Sequence, residues 1–500
     1  QVRKIEYEAG TLLLNLPTAG QTTSVPMRGS IHYPADAGPA RIILFIHGRH
    51  AVCIGTPPSG SYVCGDETAD DGTPISTDIR SYGGYDYLAE NLASHGYAVM
   101  SVEANTTGFD NGYPDAGANT RSQIIYASLQ LLYRWNNGAG PVVPGDPGRT
   151  VGTKLVGRLD FTDGIGLMGH SRGGDAVTDF IAYNRNLPSG SRRFALDAVL
   201  SLAPTYYTAN KVPYGTNYAT LLPACDGDVS NLQGARFYER SQYVKPDDPF
   251  PRIQSSQLGA NHNWYNTVWF ADGQDGPSGN DSACRDTQPN HSRLSGEAYP
   301  GAYVIDNSDK LNPEVNTRIS GDPERMGDQE KIGLATMASF FRRYVGGEGA
   351  FDPYMTGELS AVGEGLQIPE SACPTSESGK RMACVERVST SYFAPPDERL
   401  DVIRPESSDP LGLSALGTPL EGEGWVRDFP KTDIERAELA VNGFDAFRAD
   451  PATARLPTPS GRIEIFSETI AGFGAEAGHP RWIPPEEWLG SPAAARYPLH

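Results

Sequence analysis

The stretch Gly164-Ile-Gly-Leu-Met-Gly-His-Ser-Arg-Gly-Gly174 decides how the rest of the chain is read. Gly164 to Met168 is short and apolar, as a strand buried on both faces of a parallel sheet should be. Gly169-His-Ser-Arg-Gly173 fits the pattern G-x-S-x-G, a sharp strand-to-helix turn known as a nucleophile elbow. Such a turn forces Ser171 into a strained backbone conformation, and the glycines on both sides relieve the crowding. After it, Ala176, Val177, Phe180 and Ile181 recur at helical spacing from Asp175 to Asn184. A helix that starts at the turn points free backbone N–H groups at the Ser171 hydroxyl, where developing negative charge would be stabilised. A Gly-rich loop carrying a solvated serine satisfies the five-residue pattern as well, but it does not explain the flanking strand and helix.

The chain has 500 residues, enough for about three domain-sized units, although α/β enzymes run larger. A net charge of −20 argues against nucleic acid and anionic membranes as partners, because both attract Lys and Arg. No apolar run approaches the ~18 residues that a membrane span needs, so none is expected. No signal peptide is visible, and a start at Gln1 suits a processed mature protein. The six cysteines are Cys53, Cys64, Cys225, Cys284, Cys373 and Cys384, and none forms a C-x-x-C pair, so no metal site is expected. An even count with two close pairs suggests disulfides and an oxidising compartment. The expected pairs are Cys53–Cys64, Cys225–Cys284 and Cys373–Cys384; free buried thiols are the alternative.

In chain order, residues 3 to 33 alternate like antiparallel edge strands. Arg41-Ile-Ile-Leu-Phe-Ile-His-Gly48 reads as a buried strand ending in His-Gly. A helix over Tyr85–Ser94, a strand over Ala98–Val102 and a helix over Thr120–Trp135 lead to the elbow. Strands at 198–203, 218–222 and 252–258 follow, then a long helix at 324–344. Strands alternating with helices imply an α/β fold, a mostly parallel sheet flanked by helices.

With the His47-Gly48 strand end and the GHSRGG elbow in place, residues 20 to 350 resemble the α/β-hydrolase family. The elbow is similar to those of chlorophyllase-like, lipase-like and cutinase-like esterases. The resemblance implies an acid after a late strand and a histidine after the last one, in the order Ser, Asp, His. Ser171, Asp226 and His262 fall in that order. Asp228 is the alternative acid, two residues on, and His291 the alternative base. The third member must be a carboxylate, because it fixes the histidine tautomer and stabilises the imidazolium. The resemblance also implies an oxyanion hole, with one backbone N–H from Arg172 and another from the loop after His-Gly, where Arg49 is the expected donor.

Residues 263 to 323 read as an insertion, a possible lid, that opens with the aromatic run Asn263-Trp-Tyr-Asn-Thr-Val-Trp-Phe270. That run suits either an acyl or aromatic binding surface or a local core. Asp272, Asp275 and Asp281 could offer oxygens to Ca²⁺, but their spacing fits no Ca²⁺ loop, which favours solvated carboxylates.

The expected boundaries put a catalytic domain at 1–346, a loop-rich or small β extension at 347–424, and a distinct tail at 425–500. Within the tail, Gly443-Phe-Asp-Ala-Phe-Arg-Ala-Asp-Pro451, Thr458-Pro-Ser-Gly-Arg-Ile-Glu-Ile-Phe-Ser-Glu-Thr-Ile-Ala-Gly-Phe-Gly474 and Tyr497-Pro-Leu-His500 resemble a segment of molybdopterin oxidoreductases of the dimethyl sulfoxide and biotin sulfoxide reductase group. The cofactor-binding parts of that family have no counterpart in the chain, so the tail reads as a fused or truncated fragment without redox activity.

The expected function is a secreted or periplasmic serine hydrolase that cleaves carboxylic esters, small or polymeric, through an acyl-enzyme, with no cofactor and no metal. An amidase or peptidase on the same triad is one alternative, and a silent binding protein on the same fold is another. Nothing in the sequence sets the oligomeric state.

Overall fold

The computed structural model describes residues 1–17, 20–36, 38–50, 74–104, 114–144, 150–208, 211–257, 259–271, 328–357 and 388–396. Short pieces at 52–55, 64, 67–68, 291–296, 299–306, 311–312, 317–318, 450 and 452–453 complete them. The chain divides into two compact units, Gln1–Arg399 and Leu400–His500. Almost all described residues belong to the first.

That unit is built on one mixed sheet. Its strands are β1 (Val2–Asn15), β2 (Thr22–Pro34), β3 (Ala40–Ile46), β4 (Tyr97–Val102), β5 (Ile165–His170), β6 (Leu196–Leu202), β7 (Asn217–Pro223), β8 (Arg252–Gln257) and β9 (Val388–Phe393). They lie in the order β1-β2-β4-β3-β5-β6-β7-β8-β9, with the two-residue strand Leu159–Asp160 beside the start of β3. The run from β4 through β8 is parallel, while β1, β2 and β9 pair antiparallel at the two ends. Parallel strands are covered on both faces by the helices that connect them, and β5 is accordingly buried at all six positions.

Alternation along β3 shows how both faces fill. Ile42, Leu44 and Ile46 join one apolar core with Ile125, Leu129, Leu132 and Trp135 of α2 (Ala118–Asn136) and Val177 and Phe180 of α3 (Arg172–Arg185). Ile43 and Phe45 join the other. There they meet Leu88 and Leu92 of α1 (Asp86–Ser94) and Met337, Phe340 and Phe341 of a 328–344 helix. A strand residue alternates faces every step, so two layers of helix can bury one continuous apolar strand. Each fully buried Leu, Ile or Phe contributes about 1.5–3 kcal/mol. A further helix, Ala235–Val244, lies between β7 and β8 in the chain.

The mixed α/β sheet with flanking helices agrees with the expected class, and the strands and helices fall close to the expected spans. The long helix is described over Asp328–Tyr344, and residues 324–327 of its expected span lie outside the described residues. One local finding differs: Val388–Phe393, within the stretch 347–424 expected to be a separate loop-rich or small β extension, pairs antiparallel with β8 and forms the far edge of the main sheet. Cys64 and Cys225 are both disulfide-bonded. The side chains of Cys53, Cys284, Cys373 and Cys384 lie outside the described residues, as do Asp272, Asp275 and Asp281, so the proposed pairings and the acidic loop are not described. Most of the 425–500 tail lies outside them too. Among the described residues no helix is long and apolar enough to cross a membrane.

At the β1–β2 end, Lys4 Nζ bonds Asp86 Oδ2 at 2.8 Å and ties the first strand to the first turn of α1. His32 lies beside the pair, 4% exposed. Burial, and then the Lys4 charge, push its pKa down to about 3. The fold therefore favours neutral His32, so its contribution is present above the ordinary histidine value and is lost as pH falls from about 6.5 toward 3. Replacing His32→Leu should flatten this loss. Denaturant titrations of both proteins should show the stability difference moving in favour of the variant on acidification, by up to about 5 kcal/mol at full protonation. A difference that stays constant from pH 7 to pH 4 contradicts the assignment.

Candidate active site

Ser171 sits at the junction of β5 and α3 with φ 57° and ψ −123°. A positive φ is uncommon for a residue with a Cβ and costs on the order of 1–3 kcal/mol, so the surroundings must over-determine it. They do so by close approach. A Cβ on Gly169 would lie 1.9 Å from the Gly173 carbonyl oxygen. A Cβ on Gly48 would lie 2.5 Å from Ser171 Cβ and 3.1 Å from its Oγ. The backbone after β3 therefore runs directly over the serine side chain. The Ser171 N–H donates to the Leu202 carbonyl at 2.8 Å, which pins the turn to the end of β6.

Asp226 and His262 reach the same end of the sheet from the segments after β7 and β8. His262 Nδ1 lies 2.8 Å from Asp226 Oδ2, with both side chains buried. Asp226 Oδ1 accepts the N–H groups of Asp228 and Val229 at 3.0 and 2.6 Å. These bonds orient the carboxylate. Asp228 is exposed and approaches the other nitrogen, with its Oδ2 3.5 Å from His262 Nε2. The two carboxylates that spacing left open are thus on opposite sides of the imidazole, and Asp226 is the one on Nδ1. The rival base His291 opens a hairpin strand, His291–Gly296.

Arg172 is the first residue of α3, and Arg49 follows the glycine packed on Ser171. Both residues thus adjoin the Ser171 turn, one from the loop after β3 and one at the start of α3. Beneath this loop lies a polar cluster that motif reading missed. His47 Nδ1–H donates to the Gly48 carbonyl at 2.8 Å, and His47 Nε2 lies 2.7 Å from Glu103 Oε1. Arg28 reaches Glu103 at 3.2 Å and Asp78 at 2.7 Å. A buried carboxylate needs partners, and this network ties the loop to β2 and to the end of β4. The signal in the sequence was only Glu103 at the end of an apolar strand.

The aromatic run after His262 is core rather than open surface. Trp264, Tyr265 and Trp269 are at most 1% exposed. Trp269 stacks on His170 at 4.6 Å and on His50 at 5.0 Å. Its Nε1–H donates to Ser81 Oγ at 3.0 Å.

No family model matches the chain. Curated proteins match short stretches. The dimethyl sulfoxide/trimethylamine N-oxide reductase of Cereibacter sphaeroides is 50% identical over a stretch covering 18% of this chain and 14% of that protein. Trimethylamine-N-oxide reductase 1 of Escherichia coli K12 is 48% identical over 58 residues, 11% of this chain and 7% of its own length. The trimethylamine-N-oxide reductase of Haemophilus influenzae is 43% identical over 15% of this chain and 9% of its length. The chain thus spans about a seventh or less of these relatives. The matches support the resemblance to molybdopterin oxidoreductases.

They also overturn an expectation. The chain was read as a secreted serine hydrolase of carboxylic esters, lipase-like or polyester-cleaving; the curated proteins it matches are named as reductases. The physical reason for the miss is that a short elbow motif and a fold specify where a nucleophile sits, not which bond it breaks. Among the described residues no group of three or more His, Cys, Asp or Glu could hold a metal ion.

Gly48→Ala tests the packing of the site. The added methyl must move either Ser171 or the loop over it, and a displacement of about 1 Å costs about 10²-fold in a reaction that needs alignment. The rate of fluorophosphonate labelling at Ser171 should fall by that order, and the melting temperature should fall as well, because the methyl also meets the His170 carbonyl oxygen at 2.8 Å. An unchanged rate means that the loop does not bear on the serine.

Proposed function

We propose that Ser171 is a covalent nucleophile, with His262 as its base and Asp226 as the group that orients the base, on a sheet of the α/β-hydrolase type. The observation that carries this reading is the buried 2.8 Å bond from His262 Nδ1 to Asp226, beside a serine of positive φ at a strand-to-helix turn. Nδ1 donates to the carboxylate, so neutral His262 presents a lone pair at Nε2. Ser171 Oγ forms a bond to an electrophilic atom that carries a doubly bonded oxygen, its proton passes to Nε2, and the π pair of that double bond moves onto the oxygen, whose negative charge meets the N–H groups of Arg49 and Arg172. Asp226 stabilises the imidazolium without taking its proton. Disulfide-bonded Cys64 and Cys225 favour a secreted or periplasmic setting.

Active-site labelling with a fluorophosphonate tests this reading. The wild-type protein should be modified at Ser171 alone, and Ser171→Ala should not react. Asp226→Asn should slow labelling by roughly 10⁴-fold because the wrong tautomer is favoured, whereas Asp228→Asn should stay within about tenfold of wild type. A folded wild-type protein that is not labelled defeats the reading.

A second reading rests on the identities of 43–50% in the reductase-like stretch. It takes the segment resembling reductases, residues 443–500, as part of a system that reduces a sulfoxide or an N-oxide. It expects oxidation of a reduced dye that depends on dimethyl sulfoxide or trimethylamine N-oxide, with stoichiometric molybdenum in the full chain. A full chain that lacks both leaves the Ser171 reading alone.

A further inference from the structure

The residue before the nucleophile has no role in the chemistry above, yet it is completely buried and fully hydrogen-bonded. His170 ends β5 at 0% exposure. Its Nε2 lies 3.0 Å from the carbonyl oxygen of His262. A carbonyl only accepts, so Nε2 carries the hydrogen. Its Nδ1 lies 2.9 Å from the Tyr85 hydroxyl. Burial raises the Tyr85 pKa, so that hydroxyl keeps its proton and is the donor that Nδ1 requires. Burial first, and then the neighbouring His262, hold His170 well below the ordinary histidine pKa. A neutral ring with hydrogen on Nε2 alone satisfies both partners.

The ring is also wedged. The Trp269 indole stacks on one side at 4.6 Å, Tyr265 presents an edge at 6.2 Å, and the His262 ring lies 5.1 Å away. The segment carrying His262 is tied at several other points, among them Asn266 to the Ser81 carbonyl at 3.0 Å and Ala260 to the Cys225 N–H at 2.8 Å. Gln329 bonds both backbone groups of Asn261, at 3.0 and 2.8 Å, and Tyr87 bonds the Tyr265 carbonyl at 3.0 Å. Asp226 holds the His262 side chain. His170 bonds the His262 backbone itself, and it does so from the residue adjoining Ser171.

We infer that His170 is a positioning residue: as a neutral imidazole with hydrogen on Nε2, it fixes the distance between the strand that carries Ser171 and the backbone of His262. Tyr85 sets its tautomer by donating to Nδ1. The inference rests on the reading of Ser171 and His262 as nucleophile and base. It assigns a function to the second residue of the GHSRGG stretch that lies outside proton transfer.

The test uses the full chain and a fluorophosphonate probe. His170→Leu fills the space but cannot donate to the His262 carbonyl, and should slow Ser171 labelling by ten- to a hundredfold. His170→Gln can donate from its amide and should recover much of the rate. Tyr85→Phe removes only the tautomer-setting donor and should give an intermediate rate. It should also alter the pH dependence of labelling, because the His170 ring can then change tautomer or accept a proton. Melting temperatures, measured alongside, report packing. If Leu, Gln and Phe variants lose rate only in proportion to lost stability, or if Gln is no better than Leu, His170 is a packing residue and the inference fails. Should the Leu variant not fold, the Gln and Phe pair still decides, since wild-type rates and pH profiles in both overturn it. Absence of labelling in the folded wild-type protein overturns the Ser171 reading itself, and this inference with it.

Discussion

The strained backbone of Ser171 is the constraint on which the site depends. A residue at φ 57° and ψ −123° is held there only if movement in every direction is opposed. The opposition comes from three directions. The Gly48 backbone lies over the side chain, the Gly173 carbonyl crowds Gly169 behind it, and the Leu202 carbonyl binds the Ser171 N–H. Each contact comes from a strand adjacent to β5 or from the helix after it. The sheet order β3-β5-β6 is therefore what makes the strain affordable, and relaxing any of the three would release the serine.

The charged groups around the site follow the same logic at longer range. Asp226 is buried, and two backbone N–H groups and His262 share its two oxygens. Glu103 is buried and meets His47 and Arg28. One cluster orients His262, and the other holds the loop that covers Ser171. Neither adds much net stability, since a buried ion pair offsets its desolvation only approximately. Their value is geometric, because each fixes a segment that apolar packing alone would leave free to slide.

Most of the sheet was legible because buried parallel strands read as continuous apolar runs and the connecting helices keep a 3.6-residue period. Ile42 to Ile46 and Ile165 to Met168 leave little else to be. Chain order and the glycines around the turn single out Ser171, Asp226 and His262 as candidates, and of these the structure pairs Asp226 with His262. What stayed hidden depends on contacts between residues far apart in sequence. No local pattern tells that Asp226 rather than Asp228 faces Nδ1, because that follows from the turn in which the Asp228 and Val229 N–H groups fold back onto Asp226. The pairing of Val388–Phe393 with β8 crosses more than a hundred residues and leaves no trace in either strand. The reaction was the least legible feature, and the reductase relatives corrected it.

The two signals in this chain have different physical standing. Identity near 50% over a short stretch reports common origin for that stretch, and it carries chemistry only if the rest of the ancestral site is present. A buried histidine hydrogen-bonded to a carboxylate, by contrast, is an arrangement of this chain itself. Removing either carboxylate neighbour of His262 has a different consequence for that reason. Loss of the exposed Asp228 changes a charge that water already screens. Loss of the buried Asp226 frees the ring to turn and to take the tautomer that presents N–H, not a lone pair, toward the serine. The site's competence therefore resides in orientation enforced by burial, and any activity found in this unit must answer to that geometry.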